Sequence, residues 1–450
     1  MKKVLLAVLA GALTGLTYVP ALAQDDDAEK KFVINGEVRA RWEYWNNYLD
    51  LTDNDDSGDV NDDSVSLMPY RAIVGLTGTF AKNVTGHVDL QYVGFFGDEF
   101  SPQKDFLPPL GQFFTPYQFN TQGVQLYTGW LEIGHIAGSN FGVRGGRQEH
   151  TYGTELFLGD NDYYAGLSFD GLRGMWQGGN SDLNFFYYKI AEAGGPNPGP
   201  QGAANDSNLW GATYDWTFKN GFGTVGGYAL IGQDMSGNGP VFFPDSKVMT
   251  YGVRWNRPMM NNDKLNMFDW NAEVALQTGD AGEPFGGPSV DLSGSIIEAW
   301  FGWNFGGPDS HGRVHIGTLI TSGEDTSTAD ESEDFINYFG DFHANNRFGD
   351  LDWVDQFGPS DITDFNVGYQ HWFAGGDHAV MIAYHMFSET EDNGAPEDHI
   401  GDEIDLSYAY RYSKNLSFEG TAGQAMPDDD FFGFSTDPVM RVTAQAKLQW

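Results

Sequence analysis

The chain contains no cysteine in 450 residues. That excludes disulfide scaffolds, thiolate metal sites, cysteine nucleophiles and haem attached through cysteine. Basic residues are scarce: 24 lysines and arginines face 63 aspartates and glutamates, a net charge of −39. A chain this acidic has no electrostatic footprint for nucleic acid. Beyond its first residues, no apolar run approaches the roughly 20 residues that a membrane helix needs. His-Glu-x-x-His, Gly-x-Ser-x-Gly and a glycine-rich phosphate loop are also missing. No catalytic residue, cofactor or metal site is therefore assigned, and the chain is read as a non-enzyme.

The first 23 residues have the layout of a secretory signal. Lys2 and Lys3 precede an apolar stretch over 4–16, and Ala21-Leu22-Ala23 supplies a small-x-small cleavage site before Gln24. The remainder, 24–450, shows no linker that would separate domains and is read as one unit. Aromatics at 15% and 59 glycines suit strands that are half wet, joined by tight turns.

Period-two alternation sets the fold class. From Met440 to Trp450 the even positions are apolar (Met440, Val442, Ala444, Ala446, Leu448, Trp450) and the odd ones polar or charged. This is the length and pattern of a strand with lipid on one side and an aqueous lumen on the other. Phe32 to Trp45 repeats it, with Val38, Ala40, Trp42 and Tyr44 opposite Glu37, Arg39, Arg41 and Glu43. Sixteen further strand-like runs lie between, near 68–81, 83–96, 122–136, 139–151, 163–176, 181–192, 207–218, 223–234, 246–256, 266–279, 294–305, 311–321, 362–373, 377–388, 401–412 and 414–424. Short turns alternate with long polar segments, the longest near 46–67, 97–121, 192–207, 280–294 and 322–361. A barrel in lipid must pair its first strand with its last. The reading is all-β: a transmembrane antiparallel β-barrel of about 18 strands, with short periplasmic turns and long acidic extracellular loops. The address is the outer membrane of a Gram-negative bacterium, where lipid and lipopolysaccharide are partners.

Acidity concentrates in the loops. Asp50, Asp53, Asp55, Asp56, Asp59, Asp62 and Asp63 crowd the first of them. Asp53 to Gly58 starts like a calcium loop, but Ser64 stands where a bidentate glutamate is required. A solvated rim is the default, with loose divalent-cation binding as an option. The segment 322–361 could fold inward as a constriction, and Arg347 is its only basic residue. By parity Arg39, Arg41, Arg71, Arg254, Arg313, Arg411 and Arg441 face inward, as does one of Arg144 and Arg147. Inward carboxylates accompany them: Glu37, Glu43, Asp89, Asp215, Asp269, Glu273, Glu298, Glu403 and Asp405. Such charges either set selectivity or pair with each other and brace the wall. His371, His378 and His385 share one expected hairpin without needing to converge.

Several segments resemble the alginate-export family of outer-membrane barrels. They include Glu37-Val38-Arg39-Ala40-Arg41-Trp42-Glu43-Tyr44, Gly146-Arg147-Gln148-Glu149 followed by Tyr152-Gly153, and Phe169-Asp170-Gly171-Leu172-Arg173-Gly174. Ala272-Glu273-Val274-Ala275-Leu276-Gln277-Thr278-Gly279, Thr321-Ser322-Gly323-Glu324 and Gly401-Asp402-Glu403-Ile404-Asp405-Leu406 continue the series in order. The resemblance implies an eighteen-stranded channel that passes a polysaccharide or small hydrophilic solutes by diffusion. It makes Arg39, Arg41, Arg71, Arg147 and Arg173 candidates for the pore lining. Two other readings compete: a barrel enzyme acting on lipid, and a barrel sheath around a separate electron-transfer cytochrome.

Overall fold

The computed structural model describes residues 31–47, 51, 64–96, 123–191, 206–234, 246–261, 264–282, 289–307, 309–325, 328, 331–337, 339–341, 347–351, 353–354, 359–391 and 397–450. The signal segment 1–23 and the aspartates between 50 and 63 lie outside these residues. No helix among those described is long and apolar enough to cross a membrane. The crossings are made by strands.

Eighteen of them form one wall. The first six are β1 (Lys31–Asn46), β2 (Pro69–Ala81), β3 (Val84–Phe95), β4 (Gln125–Ile133), β5 (Phe141–Gln148) and β6 (Phe169–Gly178). Next come β7 (Ser181–Ala191), β8 (Ser207–Thr217), β9 (Thr224–Asp234), β10 (Ser246–Arg257), β11 (Phe268–Asp280) and β12 (Ser295–Gly307). The last six are β13 (Ser310–Thr321), β14 (Ile362–Phe373), β15 (His378–Glu389), β16 (His399–Arg411), β17 (Leu416–Pro427) and β18 (Val439–Gln449). Each pairs antiparallel with its neighbours, and β1 meets β18 from Glu37↔Gln449 to Asn46↔Met440. Closure leaves no edge in lipid, where an unpaired backbone group costs several kcal/mol. Short turns lie at one end, such as those around Lys82, Asn180 and Lys414, and the long connections at the other.

Burial is inverted relative to a soluble protein. In β1 Glu37, Arg39, Arg41 and Glu43 are buried along with Trp45, whereas Val38 and Trp42 are exposed. The same holds in β11, where Asp269, Asn271 and Glu273 are buried and Val274 and Leu276 exposed. Alternation has put the polar face inside and the apolar face toward lipid.

The expected strand over 163–176 begins only at Phe169. The residues before it leave the wall and enter the barrel from its long-loop end. Leu156-Phe157-Leu158 breaks the period of two and has nothing to bury against in a wall strand. Inside, all three are buried in an apolar cluster with Phe335, Phe339 and Phe348. Phe348, Leu351, Trp353 and Val354 of the second long segment join that cluster. Full burial of each such side chain contributes about 1.5–3 kcal/mol. The two segments meet at the Leu158↔Phe339 bridge, with Gly159 N donating to Phe339 O at 2.8 Å.

Candidate functional site

The candidate site is the barrel interior. On the β16–β18 arc its inward residues are buried at the long-loop end and open up toward the short-turn end, whereas on β11–β13 Asp269, Asn304 and Arg313 stay buried close to the short turns. On β18, Arg441 is 1% exposed and Thr443 8%, whereas Gln445 and Lys447 are half-buried and Gln449 exposed. On β16 the sequence runs from buried Glu403 and Asp405 to exposed Arg411.

A basic stripe crosses β18, β1 and β2. Register makes Arg39 the partner of both Lys447 and Arg71. Like charges at that spacing repel, so counter-ions are built in. Arg71 donates to Glu37 through Nε at 3.0 Å and Nη2 at 2.7 Å, and pairs with Asp162 through Nη1. Lys447 lies 3.2 Å from Glu37 and 3.9 Å from Asp162. Arg39 donates to the carbonyls of Asp162 at 2.6 Å and Tyr164 at 2.8 Å. Arg41 bonds Gln445 and Glu43 and lies 3.8 Å from the centre of the Tyr163 ring. Arg441 stacks on Trp45 and Tyr163 and donates to the carbonyl of Asp350. Residues 162–164 of the inward segment thus act as a tether on this wall. A bulge helps: Tyr127 has no partner between Asp89↔Thr128 and Leu90↔Leu126, and its hydroxyl reaches Glu149.

The far wall anchors the second segment. Glu273 and Glu298 are register partners on β11 and β12. Arg347 enters between them and the loops, donating to Glu298 Oε1 at 2.5 Å, to Asp341 O at 2.8 Å and to Thr154 O at 2.6 Å. Tyr228 and Thr154 hydroxyls donate to Glu273 and Glu298, each at 2.8 Å. Arg347 does sit in the lumen, 4% exposed, as an anchor between two loops and the wall. Next to it, Leu351 N donates to Glu403 at 2.9 Å and Asp350 N to Asp405 at 3.1 Å. Gly349, at φ +82°, passes so close to Glu403 that a Cβ would lie 2.1 Å from its carboxylate.

Other inward arginines pair within the wall. Arg254 meets Asp215 at 2.8 Å and Arg313 meets Asp269 at 2.7 Å. Arg144 meets Glu132 at 2.6 Å, and Arg173 donates to Asn184 at 3.0 Å. Arg411 pairs with Asp377 at the short-turn rim at 2.9 Å. Arg147 is different. The spacing of three sends it to the face opposite Arg144, where it pairs with Asp170 at 2.5 Å on the outside of the barrel. His385 faces inward 3.0 Å from Asp364, and His371 and His378 stand outward beside Tyr369 and Tyr408, so the three do not converge.

The contribution of residues 151–168 was not foreseen from sequence. The cue is present: an unalternating Leu-Phe-Leu flanked by Gly153, Gly159 and Gly166. Where the two inward segments touch, carboxylate oxygens of Glu155, Asp160 and Asp341 lie within 4.8 Å of one another. Burial raises Glu155 and Asp160 above ordinary carboxylate values, and neighbouring carboxylates add to it, Asp160 and Asp341 for Glu155, Asp162 and Asp341 for Asp160. Among the described residues these are the oxygens best grouped to take a cation.

A family model described as alginate export matches residues 115–431. Solved barrels superpose along nearly the whole chain. The Pseudomonas aeruginosa OccK2 (OpdF) structure with glucuronate has a TM-score of 0.59 at 12% identity, covering 93% of this chain and 97% of that one. A BenF-like porin from Pseudomonas fluorescens Pf-5 gives 0.58 at 11%, covering 93% and 98%. The outer membrane protein opdK from Pseudomonas aeruginosa gives 0.57 at 12%, covering 93% and 99%. The comparison with curated proteins returned no match.

Proposed function

The chain belongs to the alginate export family, and from that premise and its charged lumen we propose a passive outer-membrane channel for a hydrophilic, carboxylate-bearing sugar. The observation that carries this is the basic stripe of Arg39, Arg41, Arg71, Arg441 and Lys447 on one arc of the inner wall. Planar guanidiniums suit a carboxylate. One neighbour in fold was crystallised with glucuronate, which is that chemistry. Passage is by diffusion, and no covalent step is assigned. Arg254, Glu273 and Arg313 extend the polar lining on the far wall, with Arg173 nearer the short-turn mouth. Arg147, on the outer face, is left out of the route.

Liposome swelling tests it. Glucuronate should enter wild-type proteoliposomes faster than glucose, and Arg39→Ala with Arg41→Ala should remove that advantage. Equal rates for both sugars in the wild type contradict a carboxylate preference, and entry of neither contradicts the channel.

A further inference from the structure

The outer face of the barrel carries a second charged feature that transport does not use. Arg147 pairs in register with Asp170, Asp170 with Lys189, and Lys189 with Asn208. Asn208 then pairs with Gln233, and Gln233 with Lys247. These six residues form one row around β5 to β10, about 24 Å of wall at the usual strand spacing. All lie on the outward face, because their chain neighbours Phe169, Tyr188, Leu209 and Val248 are buried inside.

The height of the row is fixed by the row beneath it. One step toward the membrane, the register partners are Leu172, Tyr187, Trp210, Ile231 and Met249. Tyr187 donates its hydroxyl up to Asn208 at 2.7 Å and packs on Trp210. An aromatic residue with its polar tip turned upward marks the boundary between hydrocarbon and headgroups. The charged row therefore stands at headgroup level, on the long-loop side.

Its cations are concentrated. Among the described residues, Arg147, Lys189 and Lys247 are the outward lysines and arginines of the long-loop half, and all three fall on this row. Lys247 is exposed and stands opposite Asp280 of β11 in register, without an ion pair to it. Arg147 and Asp170 are 39% and 51% exposed, and Lys189 and Asp206 29% and 26%. A pair as open to water as Arg147–Asp170 holds weakly, which leaves its cation able to turn to an incoming anion. In a chain of net charge −39, this arc is where an outward anion finds donors.

We propose that this row is a binding site for a phosphorylated lipid headgroup of the outer leaflet, the phosphate being held by Arg147, Lys189 and Lys247. The inference rests on the outer-membrane placement and is independent of which solute passes.

The test is native mass spectrometry of the full-length barrel in detergent, titrated with lipid A and with dephosphorylated lipid A. Arg147→Gln, Lys189→Gln and Lys247→Gln together should weaken lipid A binding about tenfold or more. Dephosphorylated lipid A should bind wild type no better than lipid A binds the triple variant. A control triple at the opposite end, Lys82→Gln, Lys219→Gln and Lys414→Gln, should stay within about twofold of wild type. Unchanged binding in the first triple overturns the site. Equal binding of the two lipids, or an equal loss in the control, also overturns it. If the first triple does not fold, Lys247→Gln alone should weaken binding measurably, and no change there overturns the proposal.

Discussion

Arg347 Nε lies 2.5 Å from Glu298 Oε1, joining the second inward segment to the inner wall near the long-loop end of β12. Glu298 is itself the register partner of Glu273, so the arginine compensates two adjacent buried carboxylates. Removing one partner of a buried pair costs about 3–5 kcal/mol, because the other charge stays behind. Arg347→Ala should therefore release the segment: amides of 347–351 should lose that much protection in hydrogen exchange. Adding Glu298→Gln should restore part of it. Unchanged protection in the single variant would show that apolar packing alone holds the segment.

Asp162 is the shared counter-ion of Arg39, Arg71 and Lys447, and its side chain is 35% exposed. Asp162→Asn should unmask the stripe. The anion-to-cation permeability ratio, read from the reversal potential under a salt gradient, should rise about fivefold, equivalent to roughly 1 kcal/mol for a partly hydrated pair. A ratio that does not move would mean the stripe does not face the permeating ions.

Acidification should close the pore. Glu155 and Asp160 have raised proton affinity in the packed arrangement, through burial and then neighbouring carboxylates. Protonation therefore favours the packed state. That contribution is complete below the ordinary carboxylate values near 4 and is lost as pH rises through the raised ones. Conductance should fall between neutral pH and pH 4, and Asp160→Asn should bring the low-pH behaviour to neutral pH. A flat pH profile would exclude this junction as a titrating contact.

Gly349 has no room for a side chain: φ is +82° and a Cβ would meet Glu403 at 2.1 Å. Gly349→Ala should cost about 1–3 kcal/mol of segment docking. The same hydrogen-exchange measurement reads it, and an unchanged profile would mean that Glu403 swings aside.

The wall was legible because lipid enforces a strict period. Val38 and Trp42 against Arg39 and Arg41 reveal which face is which before any fold is known, and closure dictates that β1 meets β18. The interior was harder. Parity placed Glu273, Glu298 and Arg441 on the inner face, but it cannot say what occupies the space they face. Residues 156–158 are apolar without alternation, which fits a buried strand or a plug equally well, and only the register of β5 against β6 decides. Arg147 shows the limit of motif transfer. Its neighbour Arg144 has the inward phase, and an odd spacing puts Arg147 outside with Asp170.

The two inward segments that narrow the barrel are tied down at Arg347 and Asp162. Single-channel recording of the wild type beside Arg347→Ala in a planar bilayer shows whether those ties set the conductance. The wild type should show a small, steady conductance and the variant a larger, noisier one. No conductance from either protein at any voltage would contradict the channel.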